Sequence, residues 1–227
     1  FGYTGGFDVV LGNPPYVRQE RLGEIKPWLA EHYRVYHGVV DLYAYFFELG
    51  MNLLKPGGKL GFISSSTFFK TGSGAHLRRF LAEQTTLKTA VDFGDLQVFE
   101  GVTTYPAILV FENTAPQPDS QAEMLVLKDR LPTNLGQTFE QEKSVMVQSQ
   151  LQRDSWHLED ARLHQLRHKL THDQDGQPYQ TLKDVYGSPY RGVLTGLNDA
   201  FVIDRATRDR IVAQDPHSAE LIKPFLE

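Results

Sequence analysis

Short apolar runs alternate with amphipathic stretches along the first half of the chain. Apolar runs at four places predict strands: 7–12, 59–64, 87–93 and 107–111. Between them, helical spacing predicts helices over residues 41–54 and 75–84, with Asp41 as the N-cap of the first. Apolar strands separated by amphipathic helices are typical of a largely parallel sheet with helices on both faces. This half is therefore expected to be α/β.

In the second half of the chain, the pattern of hydrophobic and polar residues is less regular. Residues 113–121, rich in turn-forming types, mark a border. Beyond it, the pattern predicts two strands of a smaller element at 124–127 and 145–147. It then predicts a helix at 159–170, a turn at 174–178 and a further strand at 200–203. We therefore divide the chain into a first domain over residues 1–115, a small α+β connector over 116–178 and the start of another domain over 179–227.

The amino-acid composition narrows the classes of protein to which the chain could belong. Hydrophobic residues are 41% and charged residues 22% of the 227, as in ordinary globular proteins. The net charge of −5 excludes a uniformly basic surface but is compatible with a local basic groove. The absence of cysteine excludes disulfides and a cysteine nucleophile. With no apolar run long enough to cross a bilayer, we expect a cytoplasmic protein without a membrane partner. Since the chain opens with Phe1-Gly2-Tyr3 and ends in an apolar segment, we expect it to be a piece of a longer protein.

The most specific chemical feature is Asn13-Pro14-Pro15-Tyr16, directly after the first predicted strand. Ligands of parallel sheets bind at the carboxyl ends of strands. Consecutive prolines stiffen the backbone and remove two N–H donors. The Asn13 side-chain oxygen and a neighbouring carbonyl then form two acceptors that suit an –NH₂ group, while Tyr16 offers a ring for stacking. The alternative is a structural turn at a strand end, where Asn and Pro are common.

With these residues the chain resembles adenine-specific DNA methyltransferases, in particular large restriction-modification methylases of the Eco57I or type IIG kind. The resemblance continues through further motifs: Asp41-Leu42-Tyr43, Leu54-Lys55-Pro56-Gly57-Gly58, Val98-Phe99-Glu100-Gly101 and 192–203. It implies the C-terminal half of a Rossmann-like methyltransferase sheet that uses S-adenosylmethionine. It further implies methyl transfer to the amino group of a flipped-out adenine, in a restriction-modification or phage-defence system.

The resemblance also implies roles for single residues. Asn13, Pro14 and Pro15 would form the catalytic motif, with Asn13 and Pro14 accepting the amino hydrogens. Tyr16 and Phe99 would stack on the target base, while Phe46 would lie beside the cofactor with Asn13. Helix periodicity alone equally explains Phe46 as a core residue. Flipping a base costs a few kcal/mol, and stacking returns about 1–3 kcal/mol per base, so two aromatic walls offset much of the cost.

One expected part of the cofactor site is missing from this sequence. The family binds its cofactor chiefly through a glycine-rich loop after an earlier strand, and no such loop is present here. Gly72-Ser73-Gly74 is too short and comes too late, and we interpret it as a helix entry. We therefore expect the main binding loop to lie outside this segment, the segment alone to be inactive, and one side of the sheet to be exposed.

Basic residues flank the proposed pocket in sequence: Arg18, Arg21, Lys26, Lys70, Arg78 and Arg79. Of these, Arg18 and Lys70 are the preferred contacts to phosphates of double-stranded DNA, although scattered cations are commonly only solvated. In the region after 179, the resemblance points to Arg191, Thr195 and Asn198 as DNA contacts.

A histidine series in the helix predicted over 159–170 offers a possible metal site. His164, His168 and His172 are spaced four apart. The leucines at 163, 166 and 170 predict the adjacent buried face, so we favour solvated histidines and expect no metal.

Two other functions remain open from the sequence. Asn-Pro-Pro-Tyr is also used by methyltransferases that act on a glutamine amide in protein. A non-catalytic DNA specificity module with a degenerate methylase fold is the second alternative. A nuclease or specificity domain in the same full-length chain would fit the large relatives; the sequence does not indicate a recognition site, nuclease activity or an oligomeric state.

Overall fold

The computed structural model describes residues 5–99, 105–151, 155–187 and 203–222. The chain divides into two units, Phe1–Thr171 and His172–Glu227. The strands of the first unit are β1 (Phe7–Gly12), β2 (Leu54–Ser65), β3 (Thr86–Asp92), β4 (Pro106–Glu112), β5 (Gln121–Val126) and β6 (Ser144–Val147). Its α-helices are α1 (Lys26–His32), α2 (Tyr43–Leu53), α3 (Ala75–Gln84), α4 (Leu135–Glu142) and α5 (Ala161–Thr171).

The six strands form one mixed sheet in the order β1-β2-β4-β3-β5-β6. β1 pairs in parallel with β2, and β3 pairs in parallel with β5, while β4 lies antiparallel between β2 and β3. Four strands, β1, β2, β3 and β5, therefore run in the same direction. They end at Gly12, Ser65, Asp92 and Val126, which together define the carboxyl end of the sheet.

The predicted α/β class is confirmed, and the predicted bounds of β1 and α3 match the structure. The strands predicted for a smaller element instead extend the main sheet, because β5 pairs with β3 from Thr89↔Glu123 to Asp92↔Val126. Helix α4 was not predicted, because only Leu135 and Phe139 of its side chains pack on apolar neighbours. The domain bounds 1–115, 116–178 and 179–227 stay a prediction.

An aromatic cluster joins α2, the sheet and the segment after β6. Phe47 of α2 contacts Phe62 and Phe111 of the sheet at ring-centroid distances of 5.2 and 6.3 Å. Trp156 packs against Phe68 and Phe111 at 5.6 and 6.4 Å, and is only 1% exposed. Since aromatic side chains bury large apolar areas, this cluster is the centre of the main core.

The described residues cover the two faces of the sheet unequally. The main core lies on one face, beneath α2 and α3. On the other face, α4 covers a small cluster on β3 and β5 that includes Val91 and Leu125. Over β1, in contrast, Phe7, Val9 and Leu11 are 43%, 53% and 77% exposed. Within the described residues, the prediction of helices on both faces is thus wrong for β1. The expected exposed side of the sheet is present at this outer strand.

Helix α2 differs from its predicted start and from its predicted buried face. It begins at Tyr43, with Leu42 as an N-cap that makes no side-chain hydrogen bond. Its buried side includes Ala44, Phe47 and Met51. Leu49 and Leu53 belong to the helically spaced apolar residues that predict this helix, yet both are exposed, so the apolar side indicated by that spacing is partly wrong. Apolar residues occur all around this helix, so periodicity alone did not identify the face that packs.

Lys55-Pro56-Gly57-Gly58 follows the helix predicted over 41–54, where glycine and proline indicate that the helix stops. In the structure this segment is an irregular part of β2. The β1–β2 register shifts there, from Phe7↔Leu54 to Val9↔Lys59. Gly57 has φ +75°, a left-handed conformation that favours glycine. Its N–H donates to the Asn113 carbonyl at 3.0 Å, which ties this bend to the end of β4.

Helix α5 forms close to the predicted range, but its leucines lie outside the core. Leu163, Leu166 and Leu170 are all exposed, Leu170 by 71%, so the predicted buried face is wrong. The helix is attached instead through Arg167, whose guanidinium donates to both carboxylate oxygens of buried Glu159 at 2.8–2.9 Å. A charge-assisted bidentate pair of this kind replaces the expected apolar contact.

The second unit contains the helices α6 (Leu182–Tyr186), α7 (Arg205–Gln214) and α8 (Ser218–Leu221). The turn predicted at 174–178 is confirmed: the Asp173 carboxylate accepts the N–H groups of Asp175 and Gln177. Thr181 and Asp184 form a capping box at the start of α6. The predicted strand at 200–203 falls almost wholly outside the described residues.

The buried position of Trp156 predicts a large loss of stability on truncation. Trp156→Ala should lower the free energy of unfolding by about 3–5 kcal/mol, because it leaves a cavity among Phe68, Phe69 and Phe111. Trp28 is 52% exposed and provides the matched control, with an expected loss below about 1 kcal/mol for Trp28→Ala. Urea unfolding followed by circular dichroism measures both, and equal losses would contradict the packing described here.

Candidate active site

Asn13-Pro14-Pro15-Tyr16 follows β1 at the carboxyl end of the sheet, as predicted. Asn13 is exposed, and Pro14 is buried. The Pro15 carbonyl accepts the N–H of Val17 at 3.0 Å, which closes a tight turn. Among the described residues, nothing donates to the Asn13 side chain or to the Pro14 carbonyl. The turn therefore presents two acceptors whose hydrogen-bonding capacity is unused.

Asp41 holds the chain that leaves this motif. Its Oδ1 accepts the N–H of Gln19 at 2.9 Å, and the N–H of Leu42 donates to the Val17 carbonyl at 3.0 Å. The predicted N-cap role of Asp41 is therefore wrong, because its carboxylate faces the segment after Tyr16 and not the helix N–H groups. These bonds tie the motif to the start of α2, which packs in the core.

Tyr16 and Phe99, predicted to flank a base, are neighbours. Their ring centroids are 6.4 Å apart at an interplanar angle of 62°, an edge contact. A flat ring between two parallel rings needs about 7 Å, twice the carbon contact distance of about 3.5 Å. The rings must therefore separate before a base can enter between them. The Tyr16 hydroxyl is buried without a described partner, and burial raises the pKa of Tyr16.

Phe46 is half-buried on α2 and packs against the main core. This position agrees with its interpretation as a core residue and leaves part of the ring open. Its role beside a cofactor stays a prediction.

The loop after β2 is fixed by internal hydrogen bonds. The hydroxyls of Ser65 and Thr67 are 2.9 Å apart, and Tyr43 Oη lies 3.3 Å from Thr67 Oγ1. Burial raises the pKa of Tyr43 to about 12. Arg78, only 1% exposed, donates to the carbonyls of Phe68 and Thr71 at 2.5 and 2.7 Å. Arg78 was expected to flank the pocket as a surface cation; it is instead a buried residue that positions this loop.

The other basic residues near the motif lie in different surroundings. Arg18 and Lys70, the preferred phosphate contacts, are exposed. Arg79 pairs with Glu83, and the Lys26 ammonium donates to the Gly38 carbonyl at 2.8 Å. Arg191, Thr195 and Asn198 lie outside the described residues, so their predicted DNA contacts stay predictions.

Asp92, which the sequence analysis did not single out, ends β3 at the same end of the sheet. Its Oδ1 accepts the N–H of Gly94 at 2.9 Å. Burial raises the pKa of Asp92, and the hydrogen bond from Gly94 and the charge of Lys70 oppose this effect. The available signal was local: a carboxylate directly before the last residue of the apolar strand predicted over 87–93. The structure adds a second charged group, Lys70, close enough to act on it.

The histidines of α5 do not form a recognised metal site in the described part of the chain. His164 Nδ1 lies 3.5 Å from Glu159 Oε1. Within the described ranges, no group of three or more His, Asp or Glu side chains is placed to hold a metal ion. No helix within those same ranges has the length and apolar character needed to span a membrane.

Comparison with known proteins finds a family model and relatives that match part of this chain. Residues 1–99 match the family model of the Eco57I restriction-modification methylase. The type II methyltransferase M.XhoI of Xanthomonas vasicola is 42% identical over 120 residues, which are 51% of this chain and 21% of that protein. The type II restriction enzyme and methyltransferase RM.Eco57I of Escherichia coli is 39% identical over 107 residues, 45% of this chain and 11% of that protein. The matched segments thus span only 21% and 11% of the length of those two relatives.

A solved structure from work on the assembly and conformational transition of a type I restriction-modification system is also similar. The structural alignment includes 96% of this chain and 46% of the solved chain, with a TM-score of 0.49 and 15% sequence identity.

The raised pKa of Asp92 predicts a pH-dependent gain in stability for Asp92→Asn. The fold disfavours the charged carboxylate, so the protonated state contributes stability that is lost as pH rises through the folded pKa. Asn keeps an oxygen for the Gly94 N–H and carries no charge. The variant should therefore be more stable than wild type at pH 7, and the difference should vanish below the unfolded pKa of about 3.9. Thermal unfolding across this range measures it, and a variant that is less stable at pH 7 would contradict this explanation.

Proposed function

We propose, from the premise that residues 1–99 belong to the Eco57I restriction-modification methylase family, that the protein is an adenine-specific DNA methyltransferase. It would transfer a methyl group from S-adenosylmethionine to the exocyclic amino group of a flipped-out adenine in double-stranded DNA. The biological setting would be restriction-modification or a related phage defence. The observation that carries this proposal is the pair of unused acceptors at Asn13 and Pro14, beside the ring of Tyr16.

The acceptor pair explains how an aromatic amine becomes a nucleophile. Each hydrogen of an –NH₂ group would be accepted by one oxygen, Asn13 Oδ1 or the Pro14 carbonyl. Accepting both hydrogens draws the nitrogen out of conjugation with the ring, so that its lone pair is available for attack. Both oxygens lie on a turn that two prolines stiffen, so little reorganisation accompanies the reaction. A covalent enzyme intermediate is unnecessary in this scheme, in agreement with a sequence that lacks cysteine.

The aromatic pair supports a base outside the helical stack. A flipped base loses a few kcal/mol of stacking and pairing, and each aromatic contact returns about 1–3 kcal/mol. Tyr16 and Phe99 already lie in contact, so entry of a base would replace their edge contact with stacking on Tyr16. The binding energy of the base would thereby also separate the two rings.

The residues present fit one side of a cofactor. The half-buried ring of Phe46 offers an apolar surface, and Asn13 offers an exposed amide. When bound, S-adenosylmethionine supplies the methyl group that the amine attacks. The chain's own residues would orient the amine and exclude water from it, which is the main source of rate in an in-line transfer.

Asn13→Ala in the full-length protein tests the proposal. Loss of one preorganised acceptor should lower kcat by about 100- to 1,000-fold, while DNA affinity is largely kept. Transfer of tritium from labelled S-adenosylmethionine to DNA measures the first quantity, and a gel-shift titration measures the second. A variant as active as wild type would contradict the role of Asn13.

The same assay separates the two other functions. Label incorporated only into protein would favour a glutamine methyltransferase. A wild-type protein that binds DNA but never methylates it would favour a specificity module.

Tyr16 allows the ring and the hydroxyl to be tested separately. Tyr16→Phe keeps the ring and removes a buried hydroxyl with no described partner, so methylation should persist near the wild-type rate. Tyr16→Ala removes the stacking surface, about 1–3 kcal/mol, and should lower kcat/KM for DNA about 5- to 150-fold. Steady-state kinetics of both variants measure kcat/KM for DNA and so compare the contribution of the ring with that of the hydroxyl. If Tyr16→Phe is as defective as Tyr16→Ala, the hydroxyl rather than the ring is essential.

A further inference from the structure

Exposed cations without an ion pair occur at the carboxyl end of the sheet. Arg18 follows β1, Lys70 follows β2, and Lys128 and Arg130 follow β5. Among the described residues, none of these four makes an ion pair with a carboxylate. Lys128 and Arg130 were not predicted as functional from the sequence, because nothing there placed β5 next to β3.

Several other cations of the first unit are neutralised by a carboxylate. These pairs are Lys55–Asp8, Arg79–Glu83, Lys88–Glu112, Lys143–Glu140 and Arg167–Glu159. Unpaired cations away from the carboxyl end include Arg34, which lies beside the opposite end of the sheet near Leu54 and Asn113. These four cations thus lie, without an ion-pair partner among the described residues, on the side of the sheet that carries Asn13.

The loop after β5 is placed by the sheet itself. The N–H of Leu127 donates to the Asp92 carbonyl at 2.9 Å, which continues the β3–β5 pairing up to the residue before Lys128. The loop then leads to Asn134, whose side chain caps α4 by accepting the N–H of Gln137 at 3.0 Å. Lys128 and Arg130 therefore project from a segment that is anchored at both ends.

A cavity of about 890 Å³ lies between this loop and α4. Besides Lys128 and Arg130, its lining is rich in hydroxyl and amide side chains that are able to donate hydrogen bonds: Thr133, Asn134, Gln137 and Gln141. Asp129 and Glu142 also line it. Cationic and neutral donors in one groove are the chemistry that DNA-binding proteins use on phosphate oxygens.

We propose that the groove formed by Lys128–Asn134 and α4 binds the sugar-phosphate backbone of the DNA substrate, with Lys128 and Arg130 as direct phosphate contacts. This inference rests on the proposed function, because it places the same DNA across the carboxyl end of the sheet. The two cations hold DNA in register while Asn13 and Tyr16 act on the base.

The sheet sets the distance between these contacts and the target base. β5 is four strand spacings of about 4.8 Å from β1, so the groove lies about 19 Å from Asn13. Successive phosphates of one strand are about 3.4 Å apart along the helix axis, so the contacted phosphates lie about five or six base pairs from the flipped adenine. The groove thus contacts flanking DNA and not the target nucleotide.

The test is the salt dependence of DNA binding by the full-length protein. Each lost phosphate contact lowers the slope of log Kobs against log[salt] by about 1, so Lys128→Gln and Arg130→Gln together should lower it by about 2. Binding should weaken to a similar degree on duplexes of different sequence, since phosphates carry no base identity. The matched control is the double variant Lys59→Gln and Arg34→Gln, which removes the same charge from exposed residues without an ion pair and should leave the slope unchanged.

The outcomes separate the inference from the proposed function. A slope reduced by about 2 for the groove variant, with the control at the wild-type slope, supports phosphate contacts. An unchanged slope in a protein that still methylates DNA overturns the inference alone. Equal reductions in both double variants overturn it as well, because they indicate a general charge effect. A wild type that transfers no methyl to DNA overturns the proposed function, and the groove assignment with it.

Discussion

The common direction of β1, β2, β3 and β5 is the constraint on which the rest of the structure depends. Because parallel strands present their carboxyl ends together, four loops that are distant in sequence meet at one end of the sheet. They bring the Asn-Pro-Pro-Tyr turn, the hydroxyls after β2, Asp92 and the cations after β5 to the same side. Antiparallel β4 makes this possible, since it fills the space between β2 and β3 without adding a carboxyl end there.

Packing beneath the sheet keeps these loops in place. Phe47, Phe68 and Trp156 connect α2, the loop after β2 and the segment after β6 in one aromatic cluster. Two polar residues complete the arrangement: Arg78 satisfies carbonyls of the loop after β2, and Asp41 accepts an N–H from the segment after Tyr16. A candidate site with open acceptors at Asn13 and Pro14 is therefore supported by a core in which the neighbouring backbone groups are satisfied.

The sequence predicted what is local. The apolar run 7–12 and the motif after it were correctly placed, as was α3, and residues 1–99 match the model of the methylase family that these motifs suggested. Several predictions that depend on partners distant in sequence were wrong. Periodicity could not show that Leu163, Leu166 and Leu170 stay exposed, or that β5 pairs with β3. The placement of Lys128 and Arg130 at the carboxyl end of the sheet follows from that pairing, so no local pattern could have indicated it.

The central claim is that the two acceptors at Asn13 and Pro14 act on the amino group of adenine. Mass spectrometry of nucleosides from DNA incubated with the full-length protein and S-adenosylmethionine tests it most directly. Methyl groups are expected on the exocyclic nitrogen of adenine, and they should be lost when Asn13 is replaced by Ala. Methyl groups found only on cytosine, or still formed on adenine after that replacement, would contradict it.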